Sequence, residues 1–393
     1  MPGGGWVADG AVRERWGHRA GRGKGDGDAA DVALLDAALR VHEPLTRATH
    51  GFHAWPAALH PLAARDLIAA FPGKSVLDPF CGGGTVAVEA LVAGRAAYGR
   101  DVSPIAVLIA RARTARPGPE GIAAMRAAAR RLAASATSAR QLPPPDIRRV
   151  VERWYEPHVL CELEAIRSGI SAMDGPVADL LWAVFSSILI KTSFRESDTR
   201  ARREAVHRPP GTTATWFHRK AREYGRFLET LQEMVPEGTP SADIVRRDAR
   251  DATALRVDLV VTSPPYPSTY DYVPMNHLRH AWLGIRDTGV DREMGARRAW
   301  REGEREARRQ WSLDTHQWTA SMAQSLTPGG HLVIVVGDGA SPTGVIDALG
   351  PSVEAVRAAG LTLRARASVT REDGRGVDRW EHAILAAAPS LAR

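Results

Sequence analysis

The segment KSVLDPFCGGGTVAVEALVAGRAAYGRDV, residues 74–102, decides the fold class. Its first apolar run ends at Asp78 and predicts a short buried strand, after which three glycines form a turn. A helical apolar pattern follows and ends at Gly94, and AAYGRDV then predicts a second strand. A strand, a glycine turn, a helix and a second strand in this order begin a doubly wound parallel sheet. The chain is therefore predicted to be an α/β protein.

The pattern outward from this segment predicts one sheet that is interrupted by a helical insertion. Strand character returns in VDLVVTSP (257–264) and HLVIVVGDG (331–339), and the last two apolar runs predict a closing antiparallel pair. A Gly-rich, charged start with few aliphatic residues predicts a mobile tail. The predicted units are the tail, the first half of the sheet, the insertion and the second half, at residues 1–30, 31–116, 117–244 and 245–393.

Composition limits the class of protein and favours one kind of partner. The chain has 393 residues, a net charge of +7 and a hydrophobic content of 44%, which are values of a soluble globular protein with a modest basic surplus. The surplus favours a polyanionic partner, although an Arg-rich coding bias would also explain it. Cys81 and Cys161 have neither a disulfide framework nor the spacing of a zinc site. No membrane span, signal segment or metal site is predicted, and we expect a cytoplasmic protein.

The glycine turn predicts a small-molecule site. Glycine at positions 82 and 84 permits a positive φ and lets the backbone approach a ligand closely. Asp101 ends the next strand, where a carboxylate can accept hydrogen bonds from ribose hydroxyls. Gly82, Gly84 and Ala87 also match a dinucleotide fingerprint, so NAD is an alternative, as is simple close packing of the helix. Asp78 would repel a pyrophosphate but would attract an ammonium group.

Two strings resemble the motifs of one enzyme family, the S-adenosylmethionine-dependent amino-methyltransferases of nucleic acids. The family's cofactor motif D-P-F-x-G-x-G-T is matched by Asp78, Pro79, Phe80, Gly82, Gly84 and Thr85. Its catalytic motif [DNS]-P-P-[YF] is matched by Ser263, Pro264, Pro265 and Tyr266. The resemblance covers roughly residues 50–115 and 245–390. It implies a Rossmann-like methyltransferase sheet, S-adenosylmethionine as cofactor, and methyl transfer to an exocyclic amine of DNA.

The proline pair has a chemical purpose if the substrate is such an amine. An exocyclic amine is a poor nucleophile because its lone pair is delocalised into the base. Ser263 Oγ and the carbonyl of Pro264, which the proline pair holds rigid, can accept hydrogen bonds from both N–H groups and localise that lone pair. Tyr266 offers a flat face for stacking, and the base must be flipped or single-stranded. An ordinary turn after a buried strand is the alternative interpretation.

The resemblance also implies roles for residues outside the two motifs. The segment THGFHAWPA is similar to an H-x-[YW]-P-A segment that covers the methionine end of the cofactor, which implicates His53, Trp55 and Ala57. A helix-entry loop with Trp55 in the core is an equal alternative. Asp248 occupies the position that holds the adenine amine of the cofactor in the family, although a capping or solvated aspartate would have the same pattern.

The insertion carries a cation-rich stretch that predicts contact with nucleic acid. The cations selected are Lys191, Arg195, Arg200, Arg202, Arg203, Arg219 and Lys220. Phe194, Trp216 and Phe217 are interleaved with them, and such aromatic rings suit splayed bases. A solvated charged face is the alternative.

Several functions fit these patterns. Serine in the first catalytic position is commoner among cytosine-N4 enzymes of the family, so cytosine N4 of DNA is preferred to adenine N6. Guanine N2 of RNA is a further alternative, and the short stretch before the first strand leaves little room for the RNA-binding domain that such enzymes often carry. A nucleic-acid-binding protein without turnover and an NAD-dependent dehydrogenase are the rivals of other classes. The sequence gives no signal for a recognition sequence, a restriction partner or an oligomeric state.

Overall fold

The structure is a computed structural model, and it describes residues 20–43, 47–56, 58–204, 206–372 and 378–390. In chain order the strands are β1 Ala20–Gly27, β2 Ser75–Asp78, β3 Ala96–Asp101, β4 Asp243–Arg246, β5 Val257–Thr262, β6 Leu326–Gly337, β7 Gly339–Ser341, β8 Gly344–Ile346, β9 Thr362–Glu372 and β10 Asp378–Ala387. Strands β7 and β8 form a small hairpin. The other strands form one sheet in the order β1-β9-β10-β6-β5-β2-β3-β4.

Helices occupy most of the remaining described chain. The first four are α1 Ala29–Arg40, α2 Pro61–Ala70, α3 Thr85–Val92 and α4 Pro104–Thr114. The next five are α5 Gly118–Ala136, α6 Pro145–Val151, α7 Pro157–Ser171, α8 Pro176–Thr192 and α9 Thr212–Met234. The last are α10 Tyr272–Met275, α11 His277–Trp282, α12 Arg297–Glu302, α13 Glu304–Ser325 and α14 Leu349–Ala358. Short 3₁₀ helices lie at Glu152–Trp154 and Val290–Arg292.

The strand order confirms the predicted doubly wound α/β fold. Strands β2 to β6 run parallel, and β10 and β9 close the sheet as the predicted antiparallel pair. The chain proceeds outward from β2 through β3 to β4, and then returns to the other side of β2 with β5 and β6. The order therefore reverses between β2 and β5. In open α/β sheets, ligands bind at the carboxyl ends of the strands at such a reversal.

Local sequence explains how the elements around this reversal begin. Gly84 precedes α3 with a φ of 81°, which glycine adopts without a steric penalty. Ser103 caps α4, since its hydroxyl accepts from the Ala106 N–H at 3.3 Å, and Pro104 occupies the first turn as predicted. These two helix starts fix the chain at the carboxyl ends of β2 and β3.

The helices between β3 and β4 share a hydrophobic cluster that is distinct from the two clusters on the faces of the sheet. Leu163, Phe185 and Phe217 lie within it and are fully buried. Phe52 and Trp282, from outside these helices, are part of the same cluster. The helices therefore pack against the segment before the glycine turn, which contains Phe52, and against the segment after the proline corner, which contains Trp282. Among the described helices, none is long and apolar enough to cross a membrane.

The start of the described chain differs from the predicted mobile tail. Residues 20–27 form edge strand β1, which pairs antiparallel with β9, whereas residues 1–19 lie outside the described part. Glycine permits close packing there, because a Cβ on Gly25 would lie 2.3 Å from Val32 Cγ1 of α1. The high glycine content that predicted mobility instead lets this exposed edge strand lie close to α1. Strand β4, with the short charged sequence DIVR, was also not predicted.

Candidate active site

One cavity lies at the carboxyl ends of β2, β3 and β5, and residues of both motifs line it. Of the predicted site residues, those in its wall are Trp55, Asp78, Pro79, Phe80, Gly82, Thr85, Asp101, Asp248, Ser263 and Pro265. The structure therefore brings the glycine turn and the proline corner together, although they are far apart in sequence. His53, Gly84, Pro264 and Tyr266 are not in the wall of this cavity.

The glycine turn has the predicted left-handed geometry. Gly82 has a φ of 46°, and its neighbour Gly84 donates its N–H to the Cys81 carbonyl at 2.6 Å. A Cβ on Gly82 would lie 2.6 Å from Trp55 Nε1, so the indole rests directly on the turn. The Trp55 ring also stacks on Tyr272, with centroids 5.8 Å apart and planes 6° from parallel. Trp55 is both buried and part of the cavity wall.

Asp101 is held by the backbone on both carboxylate oxygens. Oδ2 accepts from the Gly82 N–H at 2.9 Å, and Oδ1 accepts from the Ser103 N–H at 2.8 Å. The residue as a whole is only partly buried, but its carboxyl is enclosed, and burial raises its pKa to about 6. The side chain is thus fixed in direction, with lone pairs left for a ligand in the cavity.

Asp78 joins the two motifs. Its Oδ1 accepts from Thr262 Oγ1 at 2.7 Å and from the Phe80 N–H at 3.1 Å, which links the end of β2 to the end of β5. Burial raises the pKa of Asp78 to about 7, and the charge of Asp101 acts in the same direction. Asp78 therefore titrates near neutral pH, and a cation in the cavity would favour its ionised form.

The proline corner is held from two further elements. The Pro265 carbonyl accepts from the indole N–H of Trp311 on α13 at 3.3 Å. The Tyr266 hydroxyl donates to Glu381 of β10 at 2.8 Å and lies 3.5 Å from Ser263 Oγ. Burial, and next the charge of Glu381, hold the pKa of Tyr266 well above its ordinary value. The phenol is therefore a neutral donor at physiological pH.

His53 and Asp248 differ from the contacts expected of them. The His53 ring is buried and hydrogen-bonded to Ser186 Oγ at 3.1 Å and to the Ala54 carbonyl at 2.8 Å, so it faces the insertion and not the cavity. Asp248 does line the cavity, but Arg250 binds both of its oxygens, at 2.9 and 2.7 Å. Burial alone would raise the pKa of Asp248, but the Arg250 hydrogen bonds outweigh it and lower that pKa. Ala57 lies outside the described residues.

Sequence reasoning missed Arg113, which organises the region behind the glycine turn. This guanidinium is 2% exposed and donates to the carbonyls of Gly83 at 2.9 Å and His50 at 3.1 Å, and also to that of His53. It therefore ties the segment around residues 49–53 to the turn. The available signal was that Arg113 lies in the otherwise largely apolar pattern of α4, which also contains Arg111.

A second missed feature is the cover segment, residues 288–294, which lies between β5 and β6. It contributes Thr288, Gly289, Arg292, Glu293 and Met294 to the cavity wall. Glu293 accepts from the Tyr272 N–H at 2.5 Å and from Arg298 at 2.5 Å. The cover segment is thus attached to the residues that follow the proline corner.

The predicted nucleic-acid contacts divide into buried and exposed cations. Arg195 is 5% exposed, and it donates to the carbonyls of Met275 at 2.7 Å and Asp198 at 3.0 Å, so it is no surface contact. It fixes the basic loop, residues 193–204, to α10 and α11, and the Arg279–Asp198 ion pair adds to this attachment. A guanidinium can reach several carbonyls at once, which explains its use as an internal brace.

The other predicted cations lie nearer the surface. Arg200 and Arg202 are exposed and lie 3.0 and 3.7 Å from Glu196. Arg203 lies over the Phe194 ring at 4.7 Å, and Lys191 lies over the Trp216 ring at 4.8 Å. Lys220 is paired with Glu223 at 2.8 Å, and Arg219 is exposed. Over the described ranges there is no cluster of metal-ligating side chains.

Comparisons with known proteins give one relative in sequence. No family model matches the chain. The chain is 24% identical over 273 residues to a protein of Kocuria varians named type II methyltransferase M.MvaI, and the match covers 61% of this chain. The chain spans 58% of the length of that relative.

Three solved structures superpose on the chain with a TM-score of 0.34 each. TrmN from Thermus thermophilus is 14% identical, with 84% of this chain and 48% of TrmN covered. A SAM-dependent methyltransferase from Methanosarcina mazei is 10% identical, with coverage of 82% and 97%. The rRNA methyltransferase aviRa from Streptomyces viridochromogenes is 13% identical, with coverage of 86% and 88%.

Proposed function

We propose that the chain is an S-adenosylmethionine-dependent methyltransferase that acts on an exocyclic amine of a nucleic-acid base. The observation that carries this proposal is the shared cavity, in which Asp101 and the glycine turn face the same space as Ser263. In this proposal residues 31–116 and 245–393 form the catalytic unit, and residues 117–244 form the recognition unit.

The cofactor role follows from the polar groups of the cavity. Asp101 has its carboxylate fixed by two backbone amides and accepts from the ribose hydroxyls. Gly82 lines the cavity and lets the Trp55 indole lie against the turn, whereas Gly84 lets the turn pack closely on Ala110 of α4. Asp78 offers a carboxylate to the cationic end, where its raised pKa would fall on binding. When bound, the cofactor supplies an electrophilic methyl group.

The amine role is assigned to the proline corner. Ser263 lies in the cavity wall, and Pro264 is buried next to it. The proposed acceptors are the Ser263 hydroxyl and the Pro264 carbonyl, whose directions the proline pair restricts. Both oxygens can accept from the N–H groups of one amine and direct its lone pair toward the cofactor side of the cavity. Trp311 stabilises the corner through the Pro265 carbonyl.

The substrate is DNA in this proposal, with cytosine N4 as the methylated atom. Ser263 in the first motif position favours cytosine, and the relative in Kocuria varians is named a type II methyltransferase. The basic loop supports nucleic-acid contact, since Arg195 attaches it to the chain that follows the proline corner. Arg200, Arg202 and Arg203 are exposed on this loop beside the catalytic region.

The deciding experiment is incubation with labelled S-adenosylmethionine and either DNA or RNA, followed by mass spectrometry of the nucleosides. N4-methylcytosine in DNA is the expected product. N6-methyladenine, or N2-methylguanine in RNA, would reassign the base, and cofactor binding without any transfer would support a binding protein. Ser263→Ala is the matched variant, because it removes one amine acceptor while the proline pair remains.

A further inference from the structure

The side chain of Tyr266 is held in place by one residue of β6 and one residue of β10. Gly337 of β6 lies directly opposite Glu381 of β10 in the antiparallel register. A Cβ on Gly337 would lie 2.5 Å from Tyr266 Cε2, so only glycine leaves room for the ring there. The carboxylate of Glu381 accepts from the phenol hydroxyl at 2.8 Å. Ring and hydroxyl are therefore each fixed by one of two facing residues.

An ion pair between Glu381 and Arg371 holds the Glu381 carboxylate in place. The other oxygen of Glu381 accepts from Arg371 Nε at 2.6 Å, and both side chains are 19% exposed. Arg371 lies on β9 and also donates to the Leu39 carbonyl at the end of α1. Bound to a guanidinium, Glu381 is an ionised carboxylate, and such a group can only accept hydrogen bonds.

Because Glu381 can only accept, it determines which group donates in the hydrogen bonds from Tyr266 to Glu381 and from Ser263 to Tyr266. The Tyr266 hydroxyl has one proton and gives it to Glu381, so toward Ser263 it can only accept. Ser263 Oγ lies 3.5 Å from that oxygen, which is longer than an ordinary bond, but catalytic hydrogen bonds often tighten only in the substrate complex. Ser263 then gives its own proton to Tyr266, and its lone pairs remain for an amine.

We propose that Glu381 is a positioning residue for methyl transfer: through Tyr266 it makes Ser263 a hydrogen-bond acceptor toward the target amine. This inference rests on the proposed function of the same site. Without the carboxylate, the Tyr266 proton is free to point at Ser263, and the serine proton is free to point at the amine, where it opposes an N–H group. Glu381 itself touches neither substrate nor cofactor.

Two variants separate positioning from simple packing. Tyr266→Phe keeps the ring and its packing against Gly337 but removes the hydroxyl that links Ser263 to Glu381. Glu381→Gln keeps the shape, but an amide can both donate and accept, so the direction of the bonds is no longer fixed. Glu306→Gln is the matched control, since Glu306 forms an exposed ion pair with Arg309 on α13.

The test is the single-turnover rate of methyl transfer, with cofactor and nucleic acid both saturating. Tyr266→Phe and Glu381→Gln are each expected to slow transfer about ten-fold or more, as for loss of one oriented catalytic hydrogen bond. The double variant should be no slower than either single one, because both act on the same link. Cofactor affinity, measured by calorimetry, should stay at the wild-type value in all three, and Glu306→Gln should transfer at the wild-type rate.

Three outcomes would overturn the inference. A wild-type rate in Tyr266→Phe removes the link, and this variant is decisive even if Glu381→Gln does not fold. If the double variant is slower than either single variant by the combined effect of the two, Tyr266 and Glu381 act separately. A wild-type protein that methylates neither DNA nor RNA overturns the proposed function and this inference with it, whereas an active wild type with unaffected variants overturns the inference alone.

Discussion

At the scale of single residues, the two buried acids of the cavity set its chemistry. The hydrogen-bond donors to Asp78 and Asp101 are backbone amides and the Thr262 hydroxyl. Hydrogen bonds to the charged form lower a carboxyl pKa, but here burial is the larger effect and raises both. Both acids therefore become ionised only as the pH approaches neutrality. A cationic ligand would lower the pKa of the acid that it contacts, and so would a ligand hydroxyl that donates to the ionised carboxylate.

Cofactor affinity is therefore expected to rise with pH between about pH 5 and about pH 8, because the ionised acids bind the cation and the ribose hydroxyls. Binding at about pH 6 should release protons, since it lowers the pKa of Asp78 from about 7. Calorimetry in two buffers of different ionisation enthalpy measures this release. Asp78→Asn should flatten the profile; an unchanged profile in that variant would remove Asp78 from the cation contact.

The raised pKa of Asp78 also makes the free energy of unfolding depend on pH, and this dependence can be measured without ligand. Asp78 titrates near its ordinary value of 3.8 in the unfolded chain and near 7 in the folded protein. Between these values the folded state binds more protons, so its contribution to the free energy of unfolding falls as the pH rises. In Asp78→Asn this part of the fall in the free energy of unfolding between the two pKa values should be absent. Thermal unfolding at a series of pH values measures it.

Gly82 offers a second residue-scale prediction. Gly82→Ala should weaken cofactor binding by about ten-fold or more, because the new Cβ meets Trp55 Nε1 at 2.6 Å and displaces the indole from the turn. Gly238→Ala is the control, since Gly238 has a φ of 79° with open space around it. Both variants should lose about 1–2 kcal/mol of stability from left-handed backbone. Equal cofactor affinity of the two variants, measured by calorimetry, would contradict the Trp55 contact.

Residue partners were predictable only where the sequence pattern is local. Asp78 and Asp101 were identified because each ends a strand next to a glycine turn. The Tyr266–Glu381 bond joins residues 115 positions apart, and no spacing rule connects them. Arg195 was misjudged because a cation-rich stretch has the same sequence pattern whether a member is exposed or buried against carbonyl groups.

At the scale of elements, long apolar patterns were predictable and short or glycine-rich ones were not. Strand β5 and the second half of β6 contain the buried apolar runs LVV and LVIVV, as buried parallel strands do, whereas the first half of β6, LTPGGH, has no such run. Strand β4 has only four residues, of which Ile244 alone is buried and the first and last are charged, so its sequence resembles a loop. The edge strand β1 gains its place from close packing on α1, which composition does not reveal.

The basic loop gives a prediction at this scale. Replacing Arg200, Arg202 and Arg203 by Gln should weaken DNA binding and reduce the salt slope by about 0.9 for each phosphate that is no longer neutralised. Cofactor affinity should not change, because none of the three lines the cavity. Replacing the exposed Arg301, Arg305 and Arg309 by Gln removes the same charge from α12 and α13 and serves as the control. Filter binding over a salt series measures both slopes; equally weakened binding in the two triple variants would indicate a general charge effect.

At the scale of the whole molecule, the cavity joins parts that otherwise belong to separate cores. Trp55 packs with Ile105 of α4, whereas Phe80 packs in the cluster that contains Trp311 and Trp318. The cover segment adds a third wall from between β5 and β6. A ligand in the cavity contacts all of these parts, and unfolding of any one of them would release it.

Ligand binding should therefore stabilise the entire described fold and should discriminate between the candidate cofactors. S-adenosylmethionine at a hundred-fold excess over its Kd is expected to raise the free energy of unfolding by about 2.7 kcal/mol, because only the folded protein binds it. NADH should produce no shift, since Asp78 would lie against its pyrophosphate. Asp101→Ala should lose the stabilisation by S-adenosylmethionine, because this carboxylate, which two backbone amides hold in place, is the proposed acceptor for the ribose hydroxyls. Thermal unfolding with and without each ligand measures these shifts, and stabilisation by NADH instead would identify the glycine turn as a dinucleotide site.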